Sequence, residues 1–467
     1  MFIADSQTLK DLGLFTEKGG ILDLYSHTVT VGGRQLIKTW LLNPLTDLSS
    51  IRKRSNGATA AARLLVDFPF DSQLLAAVED FLKQTETRAS IRLASLAKET
   101  DLGTAFELES TTLLTGIQGL ARLLTALKRF LATGADSADS QWQTLTHQAL
   151  ALLTKGEFAN YTAKVDLDNL PKASDREAVR ALDRVIRYKY KEQLMELLNE
   201  IYRWDALRCL GNLAAQPGFS MAELLPSEQG SVLQFEGLRH PLLPGGTTSS
   251  FDFDLKNLAI LTGAKMSGKS TLLKSLGLAV YLAHAGFPVA ASHMRLTVMD
   301  GLYTTINLPE GYAESNFMGE LRRIKTVAKA LNTGKRIFAL FDELFKSTNL
   351  MEAKEATTKL IERFTTFSTS LFFVSSHIVT VADSLEKRSV DILYRYLPTL
   401  MQDGRPTYTY KLSTGVSRNL HGLSLIRNEG IMELLKNNQP TIHYPTKMGK
   451  ISKAGIFELK RIAIQSF

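Results

Sequence analysis

Three apolar runs in the second half of the chain, Leu258-Ala259-Ile260-Leu261, Ile337-Phe338-Ala339-Leu340-Phe341 and Leu371-Phe372-Phe373-Val374, are continuous rather than alternating. Strands covered on both faces have this pattern, so the runs predict a buried parallel sheet. The first half has a different period. Leucine and alanine recur at three- and four-residue spacings from Thr112 to Leu131 and again from Glu177 to Leu213, and residues from about Ser50 to Leu225 read as largely helical. Small residues at Thr133-Gly134-Ala135-Asp136-Ser137-Ala138-Asp139-Ser140 predict a loop between helices. No cluster of alternating strands with turn signals interrupts this half. The expected architecture is a mostly α-helical domain at residues 1–225, an α/β domain at 226–435 and a basic C-terminal tail at 436–467.

The residues that end the apolar runs carry the candidate chemistry. After Leu261 comes Gly263-Ala264-Lys265-Met266-Ser267-Gly268-Lys269-Ser270, a phosphate-binding P-loop leading into a stretch from Thr271 that reads as amphipathic. Glycines let backbone N–H groups curl around phosphates, Lys269 has the reach for the β- and γ-phosphates, and the Ser270 hydroxyl suits Mg²⁺. ATP with Mg²⁺ is the implied ligand, and the whole run Gly263 to Thr271 is its expected binding segment. The second run ends in Asp342 and Glu343, carboxylates delivered to the C-terminal edge of the sheet. There Asp342 suits the Mg²⁺ shell and Glu343 suits a base that polarises water. The third run leads through Ser375-Ser376 into His377, at the strand tip where ligands bind in open α/β sheets. A γ-phosphate sensor or a water-positioning group is the role expected for it.

Composition adds limits. With 467 residues, 44% of them hydrophobic, the chain has enough material for two sizeable cores. No apolar stretch approaches the roughly 20 residues that span a bilayer, and Met1-Phe2-Ile3-Ala4-Asp5 lacks a basic region followed by a long apolar run, so no signal peptide is expected. A single cysteine, Cys209, allows no intramolecular disulfide, so a reducing cytoplasm and no membrane partner are expected. The net charge of +8 and pI near 9.2 are compatible with a polyanionic partner. Basic residues gather at Arg322, Lys325 and Lys329 on one helix face, which reads as solvated, and in the tail at Lys447, Lys450, Lys453, Lys460 and Arg461.

Taken together, the P-loop with its central Met266, Ser315-Asn316-Phe317-Met318-Gly319-Glu320, Asp342-Glu343 with Thr348, and Ser376-His377 resemble the ATPase domain of the MutS-type mismatch-repair family. Glu236-Gly237-Leu238-Arg239-His240-Pro241 is similar to the segment that opens that domain. Gly20-Ile21-Leu22-Asp23-Leu24, Thr28-Val29-Thr30, Gly33-Arg34, Leu36 and Trp40-Leu41-Leu42-Asn43-Pro44-Leu45 resemble the start of the family's helical core, and the helix through Tyr202 to Leu207 resembles its return lever. The resemblance implies an ABC-like ATPase working as a homodimer, in which Ser315 of one copy completes the nucleotide site of the other. By residue type alone, Ser315 also suits a helix N-cap.

The departures matter equally. Where the family has proline, asparagine and an extra glycine in the P-loop, this chain has Ala264, Lys265 and Ser267, and it has Phe345 and Ser347 where the family uses glycines. Lys265 adds charge that favours anion binding and puts the placement of the lytic water in doubt. The chain starts almost at the core, so a short member without the mismatch-reading and connector domains is expected. The leading expectation is ATP-gated binding of irregular or branched duplex DNA in repair or recombination. Two alternatives stand beside it: a dimeric scaffold that binds ATP with little hydrolysis, and an ABC-like ATPase acting on a macromolecule other than DNA.

Overall fold

The computed structural model describes residues 2–16, 19–63, 68–84, 102–133, 140–164, 167–306, 316–377, 379–388, 390–402, 405–417 and 430–436. Strand β1 (Ile3–Ala4) opens the chain, followed by helices α1 (Ser6–Leu12), α2 (Ile21–Tyr25), α3 (Val31–Leu42), α4 (Leu48–Arg63) and α5 (Ser72–Lys83). Helices α6 (Leu102–Thr133), α7 (Ser140–Thr154), α8 (Gly156–Lys164), α9 (Arg176–Arg184) and α10 (Lys191–Ala214) continue the helical half. From Ser220 strands predominate: β2 (Ser220–Met221), β3 (Glu223–Leu225), β4 (Leu233–Leu238), β5 (Ser249–Asp252) and β6 (Leu258–Gly263). Helix α11 (Lys269–Ala285) leads to β7 (Pro288–Val289), β8 (His293–Thr297) and β9 (Gly301–Thr305). Then α12 (Asn316–Asn332), β10 (Ile337–Asp342), α13 (Leu350–Thr365), β11 (Leu371–Ser376), α14 (Val379–Lys387) and β12 (Leu393–Leu397) alternate. The last elements are β13 (Thr399–Gln402), β14 (Arg405–Tyr408), β15 (Ser413–Thr414) and α15 (Ile431–Lys436). Among the described residues, 400–402, 405–407 and 430–436 belong to a small unit of their own. Among the described residues no helix is long and apolar enough to cross a membrane.

The main sheet runs β1-β9-β10-β11-β6-β12-β15, parallel except for the antiparallel β15. Its middle strands are buried on both faces, as their unbroken apolar runs require. Ile337, Ala339 and Phe341 of β10 face one core, with Phe372 and Val374 from β11, Leu258 and Ile260 from β6, and Val327 and Ile361 from α12 and α13. Phe338 and Leu340 face the opposite core, with Ala259, Leu261, Leu371 and Phe373. This is the two-residue alternation of a pleated sheet.

The second core brings together what the sequence separates. It takes Leu12, Ile21, Ile37, Leu41 and Ile51 from the first helices, the buried side of α11, and Phe235, Phe251 and Leu296 from a four-stranded sheet ordered β3-β8-β4-β5. Helix α11 is therefore enclosed rather than amphipathic: Leu272, Leu273, Leu276, Leu278, Ala279, Val280, Tyr281, Leu282 and Ala283 are all buried. The residues around Ser220 to Leu225, read as helical, instead form β2 and β3. Strand β1 joins the main sheet beside β9, where Arg323 of α12 ion-pairs with Asp5 and donates to the Thr304 carbonyl at 2.8 Å.

The third core is helical, from α5, α6, α8, α9 and the first half of α10. Among the described residues from 48 to 214 every element is a helix. Helix α10 serves two cores, giving Leu194, Leu197, Leu198, Ile201 and Trp204 to the helical one and Ala206, Leu207, Leu210 and Leu213 to the one beneath the sheet. At the crossover Asp205 accepts from the Thr30 amide at 2.7 Å and the Thr30 hydroxyl at 2.6 Å. This locks the Thr28-Val29-Thr30 segment, the N-terminus of α3, onto α10.

Candidate functional site

Sheet register brings the candidate residues to one edge. Asp342 pairs with Ser375, Ser376 pairs with Thr262, and Gly263 pairs with Leu397, so β10, β11, β6 and β12 all end together. Between β6 and α11 the loop turns back on itself. Gly263 and Gly268 have φ of 155° and 98°, and a Cβ on Gly263 would lie 2.8 Å from Ser267 Oγ and 3.2 Å from the Leu397 carbonyl oxygen. Met266, at the tip, also has a left-handed φ of 68° and is 79% exposed.

Lys269 begins α11 and folds its side chain under the loop. Its ammonium donates to the carbonyls of Gly263 and Ala264, both at 3.0 Å, and lies 3.9 Å from the Glu343 carboxylate. Burial lowers its pKa below the ordinary lysine range; Glu343 and Asp342 oppose the shift and Lys265 adds to it. A cation held this way gains from an approaching anion. Ser270 Oγ donates to Asp342, and Ser375 Oγ donates to the other oxygen of the same carboxylate. Asp342 is thereby held between α11 and β11.

Glu343 follows in a left-handed backbone conformation, φ 58°, and its amide donates to the Ser375 carbonyl at 3.2 Å. Its carboxylate lies 3.3 Å from His377 Nδ1. The His377 hydrogen bond holds the Glu343 pKa below the usual carboxylate value, against the opposing effect of burial. The Glu343 carboxylate thus has a histidine and a buried ammonium, both remote in sequence, each within 4 Å of it, an arrangement able to bind phosphate and orient water.

A pocket of about 490 Å³ adjoins the loop, lined by Arg239, His240, Leu243, Pro244, Gly245, Gly246, Thr247, Ser267, Gly268, Thr271, Leu397 and Tyr410 among others. Thr271 contributes from the first turn of α11, and His240, whose pKa is lowered mainly by burial, contributes from the Glu236 to Pro241 segment. Ser267 Oγ is buried and has no hydrogen-bond partner among the described residues.

The structure therefore brings Gly263 to Thr271, Asp342, Glu343 and His377 together at one edge. Ser315 lies outside the described residues, as does the tail with Lys447, Lys450, Lys453, Lys460 and Arg461. Arg322, Lys325 and Lys329 are exposed on α12. Sequence reasoning missed Ser375 as an Asp342 partner, which its place one position before Ser376 in an otherwise apolar strand hints at. It also missed Tyr410 and the 243–247 turn, although Pro244-Gly245-Gly246 is itself a turn signal.

The residues fit ATP with Mg²⁺. The orphaned Ser267 hydroxyl, the Gly263 position with no room for a side chain and the buried Lys269 ammonium suit a phosphate chain. Among the described residues no three acidic, histidine or cysteine side chains cluster as a self-sufficient metal site. Mg²⁺ needs no such cage, since one or two protein oxygens with phosphates and waters complete its shell; the adjacent Ser270 and Asp342 oxygens would fit such a donor set.

Residues 259–441 match the model of MutS domain V. The DNA mismatch repair protein MutS of Thermotoga maritima is 21% identical over an alignment covering 93% of this chain and 64% of that protein. MutS of Fusobacterium nucleatum is 24% identical over 54% of this chain and 28% of its own length. The DNA mismatch repair protein MSH3 of Pyricularia oryzae is 27% identical over 50% of this chain and 22% of its own. The chain thus spans less than two thirds of each of these relatives. The domain V match lies over the described sheet edge, and the similarity to the Thermotoga protein extends through the helical half, so the chain is similar to MutS proteins in both of its halves.

Proposed function

We propose that this chain is an ABC-like P-loop ATPase that couples ATP binding and hydrolysis to DNA binding, in repair or recombination. One observation carries the reading: the buried Lys269 ammonium, the Ser270–Asp342 contact and the Glu343–His377 pair meet at the C-terminal edge of the sheet beside the 263–270 loop. In this reading the loop amides and Lys269 bind the β- and γ-phosphates, Thr271 supports the phosphate end, and the adjoining pocket receives the nucleoside. Ser270 and Asp342 would hold Mg²⁺, which would supply positive charge against the phosphate oxygens. Glu343 orients and deprotonates the attacking water, and His377 positions the Glu343 carboxylate.

At the level of the assembly the family resemblance supports a dimeric reading. Two copies sandwich ATP, with Ser315 of one copy completing the site of the other. Residues 226–435 act as the ATPase domain, residues 1–225 as the lever that moves with it, and the basic tail 436–467 touches phosphates. The relatives are named as DNA mismatch repair proteins, and duplex DNA is the partner proposed here, irregular or branched rather than read for a single mismatch. A cytoplasmic location accords with the nucleotide and the DNA. Lys265 beside the phosphates and Phe345 in place of a glycine favour the second reading, an ATP-gated scaffold with little turnover.

Steady-state ATPase assays with and without DNA separate these readings. Lys269→Ala should abolish ATP binding, and Glu343→Ala should keep binding while turnover falls by roughly 100-fold or more, the usual contribution of a positioned base. Mixing Ser315→Ala with Lys269→Ala should restore activity through one working composite site. Unaltered ATP binding by Lys269→Ala refutes the site; ATP binding with no turnover and DNA affinity set by nucleotide supports the scaffold.

A further inference from the structure

The loop after Glu343 occupies a conformation that its own residues resist. Phe345 has φ 58°, in the left-handed region where a side chain costs about 1–2 kcal/mol. Its ring is nevertheless buried, 6.2 Å from the ring of Phe317 in the first turn of α12. Glu320, three residues along and on the same face of α12, is only 3% exposed. The Ser347 hydroxyl donates to Glu320 Oε1 at 2.9 Å. Burial raises the Glu320 pKa, while Ser347, Lys346 and the amides of Phe345 and Ser347 work against that rise. Glu320 Oε2 is buried with no hydrogen-bond partner among the described residues.

A half-satisfied buried carboxyl is costly, and apolar packing alone would hold a helix to a loop more cheaply. What Glu320 adds is directional hold on the backbone around Phe345 and Ser347. Two residues upstream stands Glu343, also at φ 58°, with its carboxylate 3.3 Å from His377 and 3.9 Å from Lys269. Between two such strained positions, any relaxation at 345 rotates the peptide that carries 343.

We propose that Glu320 is a positioning residue for Glu343: by clamping Phe345 and Ser347 to the first turns of α12, it holds the left-handed turn that aims the Glu343 carboxylate at the nucleotide site. The proposal rests on Glu343 being the base, as argued above. It also gives α12, which follows directly on the Ser315 segment, a fixed attachment to the acid loop of its own copy.

The full-length chain and its Glu320→Gln, Ser347→Ala and double variants test this. Glu320→Gln preserves size but turns an N–H₂ group toward donating amides, and Ser347→Ala removes a donor from an exposed residue with little risk to the fold. Each single variant should lower kcat at least about tenfold while KM and ATP affinity stay within about twofold, and the double variant should be no worse than the poorer single, because both remove one shared contact. Hydrogen–deuterium exchange at residues 343–348 should speed up in both, with β6 and β10 unchanged. Wild-type kcat in both singles overturns the proposal, whether or not exchange changes, as does unchanged exchange at 343–348 in Glu320→Gln. If the wild-type chain binds ATP without turning it over, the assignment of Glu343 as base fails by itself, and the exchange comparison still decides whether Glu320 holds the loop.

Discussion

The two loops that meet at the sheet edge reach left-handed backbone by opposite means. In the 263–270 loop, Gly263 and Gly268 supply the positive φ by lacking a side chain, and the lone exception, Met266, points 79% of itself into solvent. In the 343–348 loop the same backbone region is occupied by Glu343 and Phe345, and Leu344 and Phe345 are buried. The first loop has its shape because nothing obstructs it, and its backbone lies open to phosphate. The second has its shape because side chains anchor it. A ligand-binding loop must leave room for its ligand, whereas a loop that aims one carboxylate can be filled and fixed.

The comparison breaks most sharply at Gly263. Gly263→Ala should push the loop off Ser267 and the Leu397 carbonyl and lower turnover by about 100-fold, the scale of a 1 Å misplacement, with ATP binding weakened in calorimetry. Wild-type binding and turnover would show that the loop is not held by the missing side chain. A smaller effect comes at Phe345. Both Phe345→Ala and Phe345→Gly lose ring burial, but glycine also releases the strain, so denaturant titration should find Phe345→Gly the more stable by about 1 kcal/mol. At an ordinary position glycine is the less stable of the two by roughly 0.5–1 kcal/mol, so alanine coming out ahead would mean that packing has removed the strain.

The smallest effect concerns pH. Because the His377 hydrogen bond keeps the Glu343 pKa low, the carboxylate stays ionised as pH falls, and the stability it contributes is present above its unfolded pKa and lost as pH falls through the folded value. His377→Gln should therefore shift the acid limb of the kcat profile to higher pH. An acid limb that stays in place would identify another group as the one that titrates.

Legibility in the sequence followed the range of the interactions. The continuous apolar runs announced strands buried on both faces, and the residues just beyond Leu261, Phe341 and Val374 proved to be neighbours because parallel register aligns strand ends. Helix α11 was misjudged as amphipathic because burial between a sheet and the N-terminal helices leaves no polar face to give a period. Strand β1 was invisible, since two residues cannot show alternation and its partner lies in the other half of the sequence. The left-handed conformations of Glu343 and Phe345 could not be read either: residue type argues against them, and only the packing of Phe317 and Glu320 makes them tenable.

The seam between β1 and β9 carries a consequence for biosynthesis. Ile3 pairs with Gly301, and Thr8 donates to the Leu302 carbonyl, 294 positions later. A ribosome adding about 5–20 residues per second needs roughly 15–60 s to deliver that partner after Ile3 and Thr8 have been made. During that interval the buried faces of Phe2, Leu12 and Ile21 have no sheet to cover them. The nascent chain must therefore carry β1 as an open end until β9 arrives, and the β1 edge of the main sheet closes only after about 300 further residues have been made.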